Sequence, residues 1–310
     1  MNNTLQGFIM ASRPKTLPLA ASVVLFSGVC AQHYGVFHPT LFVLLLGTTL
    51  CLQIVSNFAN DYGDYKKGTD RLAHRSDRAL AAGILTPKHI AAATVFTSVL
   101  SLVLGLTLLY FSFGSLGSTS FILMLLLGLL AIGAAITYTV GKLAYGYRAL
   151  GDLFVFIFFG PVAIWGALFL YHTHAGSSLM VKDPSFALAA TLCSGLIPVC
   201  VLTLNNMRDI QKDKESDKIT IPVLLGFHAS QHYFSALMGV ALISYILMAW
   251  KLLEPGNIVL PALAILSVVV GLKRIHKIRS FSIATQAEPF HAELRNTSLV
   301  ALLFALSLWT

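Results

Sequence analysis

Apolar runs of roughly 20 residues, the length a helix needs to cross the hydrocarbon core of a bilayer, recur from one end of this 310-residue chain to the other. They lie near residues 17–37, 39–59, 90–112, 120–140, 150–171, 185–205, 230–250, 256–273 and 294–310. Lipid offers no partner for backbone polar groups, so each crossing segment must satisfy its own, which an α-helix does. Only 11% of the residues are charged, against about a quarter in an ordinary soluble domain. The runs therefore predict an all-α polytopic membrane protein, a single domain over 1–310 with nine transmembrane helices in one bundle.

The basic residues orient the bundle, because Lys and Arg stay on the cytoplasmic side. Arg13 and Lys15 precede the first run, and six more, Lys66 to Lys88, fall between the second and third. Later even-numbered gaps hold the rest, while only Lys182 and Lys251 fall in the alternate loops. This predicts a cytoplasmic amino terminus and a carboxyl terminus on the other side. The formal charge of +8 is then a matter of topology, and no nucleic-acid partner is implied. The first run is long enough to span, so it is expected to act as a signal anchor and not as a cleaved leader. The four cysteines lie inside the apolar runs without metal-type spacing and read as packing residues.

Two cytoplasmic gaps, 57–88 and 205–228, are long and carry both signs of charge. They follow the second and sixth runs, so four helices separate them. That spacing suggests two four-helix pseudo-repeats, approximately 13–140 and 150–273, with the helix at 294–310 added. In the first gap, Asn57, Asn60, Asp61 and Asp64 recur at three and four residues and share one face if the helix continues. In the second, Asp209, Asp213 and Asp217 are four apart, again a single stripe, led by Asn206. Two facing stripes of carboxylate with amide support suit Mg²⁺, which keeps waters and shares its coordination with substrate phosphate. Arg78, Lys142, Arg148, Arg208 and Lys218 lie close in sequence and can take phosphate oxygens, which points to a diphosphate ligand. Charge clusters at helix ends are often only solvated, but two with matching Asp periodicity on one membrane side argue for a site. His228 and His232 lack a third ligand, and the YHTH stretch at 171–174 reads as interfacial.

These motifs resemble the UbiA superfamily of intramembrane aromatic prenyltransferases, whose first motif is Asn-Asp-x-x-Asp-x-x-x-Asp and whose second contains Asp-x-x-x-Asp. The first reads Asn60, Asp61, Asp64, with Gly68 in place of the last Asp and Asp70 two residues on; the second reads Asp209 and Asp213. NDYGDYKKGTD at 60–70, RPKTLP at 13–18, YTVGKLAYGYRALGDLFVFIFFGP at 138–161 and NNMRDIQKDKESDKIT at 205–220 look like 1,4-dihydroxy-2-naphthoate polyprenyltransferases of menaquinone synthesis. Asp217 stands where relatives usually have Gly.

The resemblance implies transfer of a polyprenyl group from its diphosphate to the naphthoate, with loss of carbon dioxide, giving demethylmenaquinone in a bacterial inner membrane. It implies Mg²⁺ held by Asn60, Asp61, Asp64, Asp209 and Asp213, with the four Asp and Lys142 catalytic. Substrate contacts are expected from Asn57, Asn60, Arg78, Tyr138, Tyr145, Arg148, Asn206, Arg208 and Lys218. Phe58, Tyr62, Tyr138 and Tyr145 are candidates to face an allylic cation. Lys142, in a short Gly-containing segment, is expected to contact the leaving diphosphate. The expected partners are the polyprenyl diphosphate, the aromatic acceptor and the lipid bilayer, with no obligate protein partner evident. The alternatives are a sister enzyme using 4-hydroxybenzoate, homogentisate or haem, or a secondary transporter, which would need ionisable groups at the midplane.

Overall fold

The computed structural model describes residues 3–68, 78–178, 181, 183–283 and 287–309. Among them the only pairing outside helices is an isolated bridge between Arg148 and Ile219. The elements are α1 (Asn3–Ser12), α2 (Leu17–His33), α3 (Pro39–Lys67), α4 (Pro87–Phe113), α5 (Thr119–Thr137), α6 (Gly151–His174), α7 (Ser185–Arg208), α8 (Ile210–Glu215), α9 (Ile221–Leu225), α10 (Phe227–Lys251), α11 (Val259–Arg279) and α12 (Ala287–Ser307).

Local chemistry sets many of the ends. Proline opens α3 and α4, where its missing N–H and fixed φ cost nothing. Thr86 closes a capping box with His89 at the start of α4, and Ser118 caps α5. At the other end of α3, Gly68 takes φ 81°, a left-handed value that stops the helix and that a residue with a side chain rarely adopts. Within α6 the turn Phe158–Val162 is a π-helix holding Pro161, whose ring cannot fit a regular α-helical ladder.

Seven of these helices, α3 to α7, α10 and α11, are long and apolar enough to cross a membrane; α1 and α2, bent by 49°, make an eighth if taken as one span. Among the described residues, length and composition thus single out seven or eight of the nine expected crossings. The helix expected at 294–310 runs over Ala287–Ser307 and carries Glu288, Glu293 and Arg295, which make it more polar than those seven. Its acidic Glu293 is paired inside the bundle: Arg274 on α11 donates to both carboxylate oxygens, at 2.9 and 3.1 Å. The protein is an integral membrane protein built of helices.

Burial separates centre from rim. α7 is buried along most of its length, whereas Phe121 is the one buried residue of α5, so α7 is the axis of the bundle and α5 a peripheral wall. The main core packs α7 against α2, α6, α10 and α12 through Phe26, Leu168, Phe186, Ile197, Phe234 and Phe304, and α11 joins it by packing on α10 and α12. α6 reaches α7 by mutual backbone approach: a Cβ on Gly160 would sit 2.8 Å from Thr191 O, and one on Gly195 would meet Phe156.

Candidate active site

α3 stays helical through its acidic stretch, so Asn57, Asp61 and Asp64 do fall on one buried face. The segment after α5 lies directly against it. A Cβ on Gly63 would come within 2.4 Å of Thr139 Oγ1, and that hydroxyl donates to Ala59 O at 3.0 Å. Tyr147, farther along the segment, donates to Asp64 Oδ1 at 2.8 Å. On the other side Asn57 Nδ2 donates to Ser12 O (2.8 Å) and Thr16 Oγ1 (3.2 Å), tying α3 to the turn between α1 and α2.

The second acidic stretch is built differently. α7 ends at Arg208, Asp209 leaves helical geometry at φ −103°, ψ 10°, and the chain resumes as the short α8. The Asp213 N–H donates back to Asp209 O at 2.8 Å, so these two carboxylates stay neighbours. Asp217 does not join them. It lies beyond α8 with φ 52° and is exposed, which breaks the expected stripe of three. Lys218 turns back: its N–H donates to Asp213 O at 2.8 Å, and its ammonium lies 3.2 Å from Asp213 Oδ1.

Asp64, Asp209 and Asp213 line one end of a cavity of about 880 Å³, together with Asn57, Asn60, Asn206, Arg78, Arg208 and Lys218. Each carboxylate has its own cation. Arg78 Nη2 is 3.6 Å from Asp64 Oδ2, Arg208 donates to Asp209 through Nε (2.9 Å) and Nη2, and Lys218 pairs with Asp213. The two stretches also feel each other. Burial raises the Asp213 carboxyl to about 6; Lys218 opposes this, while the negative charges of Asp209 and Asp64 reinforce it. Burial would lower the Lys218 ammonium, but Asp213, Asp64 and Asp209 outweigh it and the net shift is upward.

Among the described residues no three acidic, His or Cys side chains close into a metal cage. The donors nevertheless fit Mg²⁺. They are all oxygen, and Asp213 Oδ2 is buried without a hydrogen-bond partner among the described residues. A hard ion that takes one or two carboxylates and completes its shell with phosphate and water needs no closed cage.

Not every expected residue reaches the wall. Asp61 is buried in α3 but does not line the cavity. Lys142 and Arg148 are exposed and also off it; Arg148 Nη2 donates to Lys142 O at 3.1 Å. The segment turns Tyr147 toward the carboxylates instead. Phe58 and Tyr62 pack with Phe8, Leu85 and Ile90 in a separate cluster. Tyr138 and Tyr145 do line the cavity, edge to face at 5.3 Å, joined by Phe154, which stacks on Tyr145 at 4.2 Å. Asp70 lies outside the described residues.

Three contributors escape sequence reasoning. Tyr147 could have been suspected from the YGY that brackets a 3₁₀ turn. His291, whose Nδ1 lies 3.2 Å from Arg208 Nη1, comes from α12 with no local signal to mark it; Arg13 to Thr16 come from the other end of the chain, where the RPKTLP stretch carries the resemblance but does not say that it joins this wall.

The model of the UbiA prenyltransferase family matches residues 21–306. The chain is 39% identical over 235 residues to the 1,4-dihydroxy-2-naphthoate octaprenyltransferase of Escherichia coli, covering 75% of this chain and 73% of that one. Among solved structures, the fold is similar to an apo UbiA homolog from Aeropyrum pernix K1, with TM-score 0.68, 17% identity and coverage of 94% and 96%. It is also similar to a UbiA homolog from Archaeoglobus fulgidus bound to DMAPP and Mg²⁺, with TM-score 0.60, 15% identity and 98% of both chains covered. With two Asp-bearing helix ends meeting over a long apolar cavity, and with the family model spanning nearly all of it, this chain is a polyprenyltransferase that belongs to the UbiA prenyltransferase family.

Proposed function

We propose that the protein transfers a polyprenyl group from polyprenyl diphosphate to 1,4-dihydroxy-2-naphthoate with loss of carbon dioxide, giving demethylmenaquinone, first as its quinol, in a Mg²⁺-dependent reaction at the cytoplasmic face of a bacterial inner membrane. One observation carries the reading: three carboxylates, each with its own cation, lie together on the wall of a cavity whose lining is predominantly apolar. Such a space suits a ligand with a diphosphate head and a hydrocarbon tail. The naphthoate acceptor is supported by the printed name of the E. coli relative. The side is supported by the basic residues that crowd the gaps following α3 and α7. Nine crossings follow if α1 with α2, and α12, complete the set.

The chain's own groups divide the work. Asp64, Asp209 and Asp213, with Asn60 and Asn206, would hold Mg²⁺, which when bound supplies positive charge that makes the diphosphate a better leaving group. Arg78, Arg208 and Lys218 lie where they can take the remaining phosphate oxygens. Tyr138, Tyr145 and Phe154 present aromatic faces to the space beyond, where an allylic cation needs stabilisation and exclusion of water. The electron-rich ring of the acceptor attacks the allylic carbon, the carbon–oxygen bond to diphosphate breaks, and the carboxylate leaves as carbon dioxide.

The test is a product assay. Purified protein in lipid vesicles, given Mg²⁺ and a polyprenyl diphosphate, is offered the naphthoate, 4-hydroxybenzoate, homogentisate and haem. The expected product has the mass of naphthoate plus prenyl less carbon dioxide. Turnover of a different acceptor, with the naphthoate inert, overturns the assignment.

A further inference from the structure

The turn Arg13–Thr16 between α1 and α2 stands apart from the three carboxylate–cation pairs, yet Arg13, Pro14, Lys15 and Thr16 all line the same cavity. It is a built feature. α1 and α2 meet there at 49°, and Arg13 is one of three non-glycine residues with positive φ among the described residues, at 50°. Backbone held in that region costs of order 1–3 kcal/mol and persists only where its surroundings enforce it. Enforcement comes from α3: Asn57 donates to Ser12 O and Thr16 Oγ1, and Gln53 Nε2 donates to Asn57 Oδ1 at 3.3 Å. Thr16 Oγ1 in turn donates to Arg13 O at 3.0 Å.

Charge distinguishes this wall from the acidic end. There, Arg78, Arg208 and Lys218 are each already matched to a carboxylate. Lys15 lines the cavity, is exposed, and has no ion pair among the described residues. A second anion entering the cavity would be repelled by the diphosphate and would find its counter-charge here. The separation is suitable. Asn57 precedes Asp64 by seven residues, about 10 Å along the helix. A flat aromatic acid whose ring carbon approaches the donor's allylic carbon to about 3 Å, with its carboxylate turned away from the diphosphate, reaches that level.

We propose that the Arg13–Thr16 turn is the carboxylate subsite for the aromatic acceptor, with Lys15 as its cation and Asn57 as the brace that holds the turn in place. The assignment rests on the acceptor being an aromatic acid. It makes the turn a determinant of acceptor choice, separate from the residues that hold the donor.

The experiment measures acceptor and donor constants separately in vesicles with Mg²⁺, and adds competition by 1-hydroxy-2-naphthoate and by 1-naphthol, which differ only in the carboxyl. Lys15→Gln should raise the naphthoate KM by about 10- to 100-fold, the range of a hydrogen bond to a charged group, with the donor KM within about 2-fold of native. Its inhibition constant for 1-hydroxy-2-naphthoate should rise in parallel and that for 1-naphthol stay fixed, and Lys15→Arg should restore most of the difference. An unchanged naphthoate KM in Lys15→Gln, or a rise in the donor KM instead, overturns the subsite, as does a native protein that binds the two competitors equally. Failure of the native protein to prenylate the naphthoate overturns the acceptor reading and is seen before any variant is made. Lys15 is exposed, so neither variant should alter the thermal unfolding of the protein.

Discussion

The two acidic stretches of this protein share a spacing and differ in backbone. In α3 the helix runs through Asp61 and Asp64 to Lys67 without interruption. After α7 the helix gives out at Asp209, and Asp213 is held on a separate turn by Lys218. Both halves deliver buried carboxylates to one cavity, so four-residue spacing alone does not say what carries them. A continuous helix fixes its side chains through the rest of the bundle, whereas a broken one needs local ties. The first motif should therefore be sensitive to changes in packing, and the second to loss of its ion pairs.

The largest effect expected is loss of a carboxylate from either half. Asp64→Asn and Asp209→Asn should each lower kcat by about 10²-fold or more, on the scale of removing one preorganised electrostatic group, with Mg²⁺ titration as the check. Near-native turnover of one of them would mean that the halves are unequal and that the facing arrangement is wrong. Next comes Gly63→Ala, which places a methyl 2.4 Å from Thr139 Oγ1 and 2.8 Å from Thr139 C. Overpacking of this kind destabilises by about 1–3 kcal/mol, read as a drop in Tm, and should cut activity by pushing the Tyr147 segment off α3. A Gly63→Ala protein with native Tm and rate would remove packing as the support of the first half. Tyr147→Phe is smaller: it deletes one hydrogen bond to an ionised group, about 1.5–3 kcal/mol at most, and should weaken catalysis without altering insertion. No change in rate would show that Asp64 does not depend on it. Smallest of all is Lys142→Ala. An exposed side chain off the cavity wall should leave stability within about 0.5 kcal/mol and the rate nearly native. A hundredfold loss would restore Lys142 to the diphosphate and show that its segment moves when substrate binds.

The spacing of Asn57, Asn60, Asp61 and Asp64 was readable because a helix that continues keeps its period. The same rule placed Asp217 wrongly, since nothing in NNMRDIQKDKESD announces that the helix ends at Asp209. Lys142 and Arg148 have the charge, and Lys142 the short Gly-containing segment on the right membrane side, but a turn between helices chooses which side chains face inward by its backbone path. Here Tyr147 O accepts from Ile219 N–H and Ala149 N–H donates to Ile219 O, so the path is pinned by a distant strand-like contact. His291 and the Arg13–Thr16 turn become neighbours of the motifs only once α12 and α2 pack on α3 and α7. The apolar runs were legible throughout; the last of them is carried by α12, which begins earlier, at Ala287, and so takes in Glu293, paired with Arg274.

The π-turn at Phe158–Val162 has a consequence for register. One residue added to a helical turn rotates everything after it by about 100° relative to an unbroken helix. Phe158 and Phe159, adjacent in sequence, both reach the cavity, and the wall then continues through Val162, Ala163, Gly166 and Leu170 on the far side of the bulge. The two ends of α6 are thus phased independently: the aromatic end meets the segment bearing Tyr145, and the aliphatic end lines the cavity beyond it. Substituting residues on either side leaves that phasing intact. Deleting a single residue within the bulge would not, for it would turn the aliphatic face away from the cavity as a block while leaving every side chain chemically unchanged.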